Sequence, residues 1–220
     1  MKAAVKSVCS AIALLLVFPW ALCERLARKA MGRDVWFLTH AEFLSLLPGK
    51  TGYFLRNAYY HLTLRRCPLN CCFHFGTIFT HSEAEVGERV CTGFHCIIGT
   101  ATIGDDTMFA QGVQVLSGKF QHGIGDPSVA FQDQPGILTR IHIGRNCWVG
   151  TNAILMADVG KNSVVAAGTM VTRAVPDDKL VMGNPARIMS KELSAAARGN
   201  PPEKHAADEP HVTPVLEGKS

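Results

Sequence analysis

Between Val86 and Val175 the apolar positions follow neither the 3.6-residue period of a helix nor the strict alternation of a long strand; they recur every six residues. Aligned at that period the chain reads VGERVC from Val86, TGFHCI from Thr92, IGTAT from Ile98, IGDDTM from Ile103 and FAQGVQ from Phe109. It resumes with IGRNCW from Ile143, VGTNAI from Val149, VGKNSV from Val159, VAAGTM from Val165 and VTRAV from Val171. Nine of these ten units open on an apolar residue, and the second position is Gly in seven and Ala in two, although Gly is only 20 of 220 residues. That bias excludes coincidence. The opening residue is expected to point inward. A small residue at the fifth position of a unit, at Cys96, Thr102, Thr107, Ala153, Ser163 and Thr169, lets neighbouring strands close on a narrow core. The fourth position holds Asp106, Gly112, Asn146, Asn152, Asn162 and Gly168, types that tolerate left-handed backbone angles, so a corner is predicted every six residues. Such short strands joined by corners predict an all-β core built as a parallel β-helix, in which stacked coils bury an aliphatic ladder. The five-residue IGTAT and the shortened LMAD between Ile154 and Val159 are expected to disturb the register locally.

Upstream of the repeat the pattern is helical. Apolar groups from Ala41 to Leu64 lie at helical spacing, broken by Pro48-Gly49, which predicts two short amphipathic helices around a turn. Before them, SVCSAIALLLVFPWALC, from Ser7 to Cys23, is an apolar run at the short edge of a membrane span. It reads as an anchor in preference to a signal peptide. Arg25, Arg28, Lys29 and Arg33 outnumber Lys2 and Lys6 on its other side, which places the body at the cytoplasmic face of the membrane. The expected organisation is therefore an anchor or signal-like segment at 1–24, an amphipathic helical region at 25–70, a repeat domain at 71–190 with a loop at 116–140, and a disordered tail at 191–220.

Hydrophobic residues at 47% provide for a core, and charged residues at 18% argue against a disordered chain or a charged coiled coil. A net charge of +4 lacks the basic excess of a nucleic-acid binder, so no nucleic-acid partner is expected. Eight cysteines in 220 residues are too dilute for a disulfide scaffold and read as free thiols. CPLNCCFH, from Cys67 to His74, has metal-ligand residue types, but the spacing is not C-x2-C and no second half follows in sequence. No metal is expected there.

In its hexads, and in GNPARI from Gly183 to Ile188, the chain resembles the hexapeptide-repeat acyltransferases, and within them the sugar and polysaccharide O-acetyltransferases. The resemblance implies a left-handed coil, a homotrimer, and acetyl-CoA as co-substrate. The hand runs against the usual right-handed crossover rule, so periodicity does not supply it. The repeat is interrupted by LSGKFQHGIGDPSVAFQDQPGILTR, a polar excursion between Val115 and Ile141. In galactoside- and maltose-type O-acetyltransferases the corresponding loop carries the catalytic His a few residues after a small-residue-plus-Gly step, which Ser117-Gly118 and His122 match.

The chemistry asks independently for such a group. A hydroxyl is a poor nucleophile at neutral pH, and an imidazole of pKa about 6.5 is largely neutral there and able to take its proton. The departing thiolate, of pKa about 8.5, needs little assistance. Asp126 and Asp133 are both candidates to orient the ring. The resemblance also implies coenzyme contacts at Thr151, Ala167, Thr172, Arg173 and Arg187, in a groove between adjacent subunits. The two arginines suit phosphates, being permanently charged and able to form forked hydrogen bonds. His95 lies near where family members contact the acceptor, expected to be a saccharide or lipid-linked saccharide. Competing readings are a serine acetyltransferase, a γ-class carbonic anhydrase, for which His95 lacks its partner histidines, and a non-catalytic scaffold.

Overall fold

The computed structural model describes residues 2–189, so the tail expected at 191–220 lies outside the described residues. Three helices come first: α1 (Lys2–Met31), α2 (Phe37–Ser45) and α3 (Gly49–Thr63). Then β1 (Cys72–Phe73), β2 (Ile78–Phe79) and β3 (Glu85–Val86) lie on three different faces, and β4 (Cys91–Thr92) returns to the first. The cycle repeats through β5 (Ile97–Ile98), β6 (Ala101–Ile103), β7 (Met108–Phe109), β8 (Gln114–Val115) and β9 (Ile141–Ile143). It continues with β10 (Trp148–Val149), β11 (Ile154–Leu155), β12 (Val164–Val165), β13 (Met170–Val171), β14 (Leu180–Met182) and β15 (Arg187–Ile188). The first face runs β1-β4-β7-β10-β12-β14-β15, the second β2-β5-β8-β11-β13, and the third β3-β6-β9, continued by bridges at Ile143–Val159 and Val159–Val175. All pairings are parallel except the last, β14 with β15.

The register shows how the irregular units are absorbed. Cys72 pairs with Cys91, Cys91 with Met108, Met108 with Trp148, Trp148 with Val164 and Val164 with Leu180. The coils thus tighten from first to last, with one long exception between Met108 and Trp148. The second face keeps the same steps from Ile78 through Ile97, Gln114 and Ile154 to Met170. IGTAT and LMAD therefore shorten a coil without slipping a strand. The surplus of the long coil is the excursion at 116–140.

Inside, the openers stack as predicted: Val86, Ile103, Ile143 and Val159 line the third face, and Ile98, Val115, Leu155 and Val171 the second, all buried. The small interior residues do more than set the width. Thr107 Oγ1 donates to the Gly144 carbonyl at 2.8 Å and Ser163 Oγ to that of Pro176 at 3.0 Å, each satisfying an acceptor of the next coil. One position differs from expectation. Ala101 is buried and Thr102 faces out, because the five-residue unit removes one residue ahead of Ile103. The predicted corners at Asp106, Gly112, Asn146, Asn152, Asn162 and Gly168 all have positive φ, as does Asp178, and so do Arg89 and His95, whose types do not announce it. The second-position glycines have a steric cause: a Cβ at Gly150 would lie 2.5 Å from the Ala167 nitrogen of the next coil.

The helices close the N-terminal end. α1 continues past residue 24, the expected end of the apolar segment, to Met31. Its Ala13, Val17 and Ala21 form one buried stripe at helical spacing, while Arg25 Nε donates to the Leu62 carbonyl and Arg28 pairs with Asp34 at 3.7 Å. Between α2, α3 and the first coil lies a buried Arg56. Its guanidinium donates to the carbonyls of Leu44 (2.9 Å), Leu47 (2.8 Å) and Phe73 (3.1 Å), tying the carbonyl end of α2 to β1. Burial lowers its pKa.

Candidate functional site

Two edges of the prism flank the second face, and the expected site residues divide between them. On the edge leading into that face, Gln111, Thr151 and Ala167 stack, tied by Asn152 N–H to the Gln111 carbonyl at 2.9 Å and Gly168 N–H to the Thr151 carbonyl at 2.8 Å. His95 belongs to the same edge lower down. Its ring lies against Gly76, where a Cβ would come within 2.1 Å of Nδ1, and meets Phe75 edge-on at 5.3 Å. On the opposite edge, Leu116, Met156 and Thr172 succeed one another through Leu116 N–H to the Leu155 carbonyl and Met156 N–H to the Val171 carbonyl, both 2.9 Å. Thr172 and Arg173 thus sit on the edge from which the excursion carrying His122 departs.

Arg187 is separate from Arg173. It lies on β15, which turns back antiparallel and pairs with Met182 of the last strand of the first face. The GNPARI motif has a structural part here. The Gly183 carbonyl accepts from Met170 N–H at 3.1 Å and Ala186 N–H donates to the Met170 carbonyl at 2.9 Å, capping the final coil.

The excursion is built, not loose. Ser117 is buried and its Oγ accepts from Thr100 N–H at 2.9 Å, fixing the exit. Thr139 N–H donates to the Ser117 carbonyl at 2.9 Å and Ile137 N–H to that of Phe120 at 2.6 Å, zipping the two limbs together. Gln134, buried within the loop, donates through Nε2 to the carbonyls of Asp126 (2.8 Å) and Val129 (2.9 Å) and accepts from Asp126 N–H at 3.2 Å. The limbs are closest at Gly136, where a Cβ would lie 1.8 Å from the Gln121 carbonyl oxygen. His122 follows at once, its side chain exposed. Of the two acids expected as orienting partners, Asp126 turns its carboxylate to Ser128, accepting from its N–H at 2.9 Å and its hydroxyl at 2.6 Å. These bonds hold the Asp126 carboxyl below the ordinary range.

A second cluster joins two residues of the Cys67–His74 run, where no metal is expected from sequence, to Cys91, which the sequence pattern does not connect with them. Cys72 and Cys91 face each other across β1 and β4, and His74 lies two residues beyond Cys72 on the same outer surface. One ligand atom from each of the three lies within 4.8 Å of the other two. A hydrogen bond from the Cys72 thiol, reinforced by His74, lowers Cys91 to about 5 despite burial, and the same contact pushes Cys72 up. The signal was hidden because the partner of Cys72 stands one full coil further along the chain, where local spacing does not reach.

The hexapeptide repeat of succinyl-transferase, as a family model, matches residues 140–173. The bifunctional protein GlmU of Streptococcus thermophilus is 28% identical over 133 residues, covering 60% of this chain and 25% of its own length. WbbJ of Escherichia coli, a putative lipopolysaccharide biosynthesis O-acetyl transferase, is 29% identical over 128 residues, 54% of this chain and 63% of its own. The chain thus spans about a quarter of the first relative and under two thirds of the second. A hexapeptide-repeat acetyltransferase of Vibrio cholerae, solved with acetyl coenzyme A, shares the fold with a TM-score of 0.52, at 22% identity over 70% of this chain and 86% of that one.

Proposed function

We propose that this chain, whose prism carries the repeat of the hexapeptide-repeat acyltransferases, moves an acetyl group from acetyl-CoA to a hydroxyl of a saccharide or lipid-linked saccharide. The observation that carries the reading is the excursion at 116–140. A cross-braced loop that leaves the prism from the edge presenting Thr172 and Arg173 carries an exposed imidazole. In this reading the coil is left-handed and the active assembly is a trimer. Its grooves bring the loop of one copy against the Thr151–Ala167 edge of the next. The third face is polar, with Glu85 paired to Arg65 at 3.3 Å, whereas the first exposes Met108 and Trp148 side by side, which favours the first for contact between copies.

His122 acts as general base. Its neutral imidazole takes the acceptor hydroxyl proton as the oxygen attacks the thioester carbonyl. The tetrahedral oxyanion then collapses, the carbon–sulfur bond breaks, and the imidazolium returns the proton to the departing thiolate. No acyl-enzyme forms. Arg173 and Arg187 bind coenzyme phosphates, and His95 borders the acceptor.

Membrane attachment belongs to the same proposal. With Ala13, Val17 and Ala21 committed to the body, the opposite side of α1 exposes Val8, Ile12, Leu15, Leu16 and Leu22. A helix docked along one side suits lying in the interface, apolar face down, better than crossing the bilayer. The body then stays at the cytoplasmic face, beside lipid-linked acceptors.

The test is thiol release from acetyl-CoA by the full chain in detergent or vesicles, against a panel of saccharides and their lipid-linked precursors. The expected result is release that depends on one saccharide acceptor and leaves an O-acetyl ester on it. Release stimulated by serine alone, or by nothing in the panel, refutes the reading.

A further inference from the structure

The outer surface of the first two coils carries chemistry that acetyl transfer does not use. We propose that Cys72, His74 and Cys91 form a zinc site that staples β1 to β4.

The fold makes the cluster. Parallel register sets Cys72 directly across from Cys91, and strand alternation points both thiols and His74 outward on the same face. Their ligand atoms all fall within 4.8 Å of one another, with Cys72 Sγ 4.0 Å from His74 Nε2. Zn–S bonds of about 2.3 Å and Zn–N bonds of about 2.0–2.1 Å, arranged tetrahedrally, need ligand atoms roughly 3.5–3.8 Å apart. Side-chain rotations that close these separations by up to about 1 Å bring the three around one ion.

The histidine is already oriented. Its Nδ1 lies 2.5 Å from the Thr92 carbonyl, so Nδ1–H is donated there and the lone pair stays on Nε2; Cys72 Sγ lies 3.6 Å from Nδ1 and 4.0 Å from Nε2, within reach of the free nitrogen after a small turn of the ring. A backbone carbonyl accepting from the other ring N–H is a common outer partner of a metal-bound His. Two sulfurs and one imidazole are a soft donor set that favours zinc over magnesium or calcium. Two thiolates also cancel the charge of the ion, and their protons pass to solvent on binding. His74 borders a cavity of about 230 Å³ together with Lys50, Tyr53 and Phe94. A water entering from this cavity would supply the fourth ligand, giving three protein ligands and one exchangeable site.

The site is tested on the full-length protein, purified under reducing conditions without chelator. One zinc per chain by elemental analysis is expected, falling at least tenfold in Cys91→Ser and in His74→Gln but not in Cys23→Ser, whose thiol is exposed on α1. Metal-free wild-type protein titrated with Co²⁺ should develop a near-ultraviolet thiolate-to-cobalt band that saturates at one equivalent and halves in Cys91→Ser. The wild-type titration does not depend on either variant folding. Zinc below a tenth per chain with no such band, or a Cys72–Cys91 disulfide that persists in the reduced preparation, overturns the proposal.

Discussion

Gly136 is remote from any reacting atom, yet it sets the position of His122. A Cβ added there would stand 1.8 Å from the Gln121 carbonyl oxygen and 3.0 Å from the His122 nitrogen. Ordinary contact begins at about 3.4 Å, so in Gly136→Ala the limbs must part by roughly 1.5 Å. Shared between the limbs, that moves the His122 backbone by the order of 1 Å, and a misplacement of that size costs about 10²-fold in rate when a catalytic group must meet a reacting atom. The predicted result is kcat for acetyl transfer down about 10²-fold, with KM for acetyl-CoA nearly unchanged, because Thr151 and Arg173 stand outside the loop. Gly125→Ala is the control, since a Cβ there meets nothing within 4 Å. A Gly136→Ala enzyme with kcat within threefold of wild type, or a Gly125→Ala enzyme equally impaired, refutes the reasoning.

Arg56→Met strips three buried carbonyls of their donor at about 1–3 kcal/mol each, offset in part by relief of a buried charge, so urea unfolding should show a loss of about 3–5 kcal/mol; a loss below about 1 kcal/mol at unchanged m contradicts it. Glu24 is buried, accepts from Trp36 N–H at 2.9 Å, and leaves its Oε1 without a partner; burial raises its pKa above the usual 4.5. The native state therefore holds this proton over a window where the unfolded chain releases it, so its stability contribution falls as pH rises from about 4.5 through the raised value. Glu24→Gln should gain thermal stability over wild type across that window, and a pH-independent difference in Tm counts against it. Arg173→Ala should raise KM for acetyl-CoA about tenfold with little change in kcat, the loss of one charged phosphate contact at an exposed edge; an unchanged KM removes Arg173 from the groove.

The repeat was legible because each of its positions answers to one local cause. Val86 and Val149 face inward because the core is apolar, Asn146 and Asn162 turn corners because their type tolerates positive φ, and Gly150 is small because the next coil lies against it. Arg89 and His95 take the same corner conformation by position alone, and only the period points to them. What stayed hidden depends on how many residues a coil consumes. The period alone turns Thr102 inward, but Ala101 takes that place because the unit before Ile103 is one residue short. Cys91 meets Cys72 only because of the length of the first coil, which local spacing does not reveal. The loop was legible as an interruption and His122 as its only imidazole, but not the brace from Gln134 or the crossing at Gly136, which are contacts within an irregular segment. Arg56 was hidden for a related reason: a buried arginine whose acceptors are all backbone carbonyls leaves no complementary side chain in the sequence.

The central claim is that the exposed imidazole at position 122 removes the acceptor's proton. Steady-state turnover of His122→Ala, with acetyl-CoA and the acceptor that the panel identifies, tests it most directly. General-base loss predicts kcat lower by about 10²–10⁴-fold, with Tm and assembly unchanged because the ring is exposed. Turnover within threefold of wild type, in a variant that still binds acetyl-CoA, would contradict it.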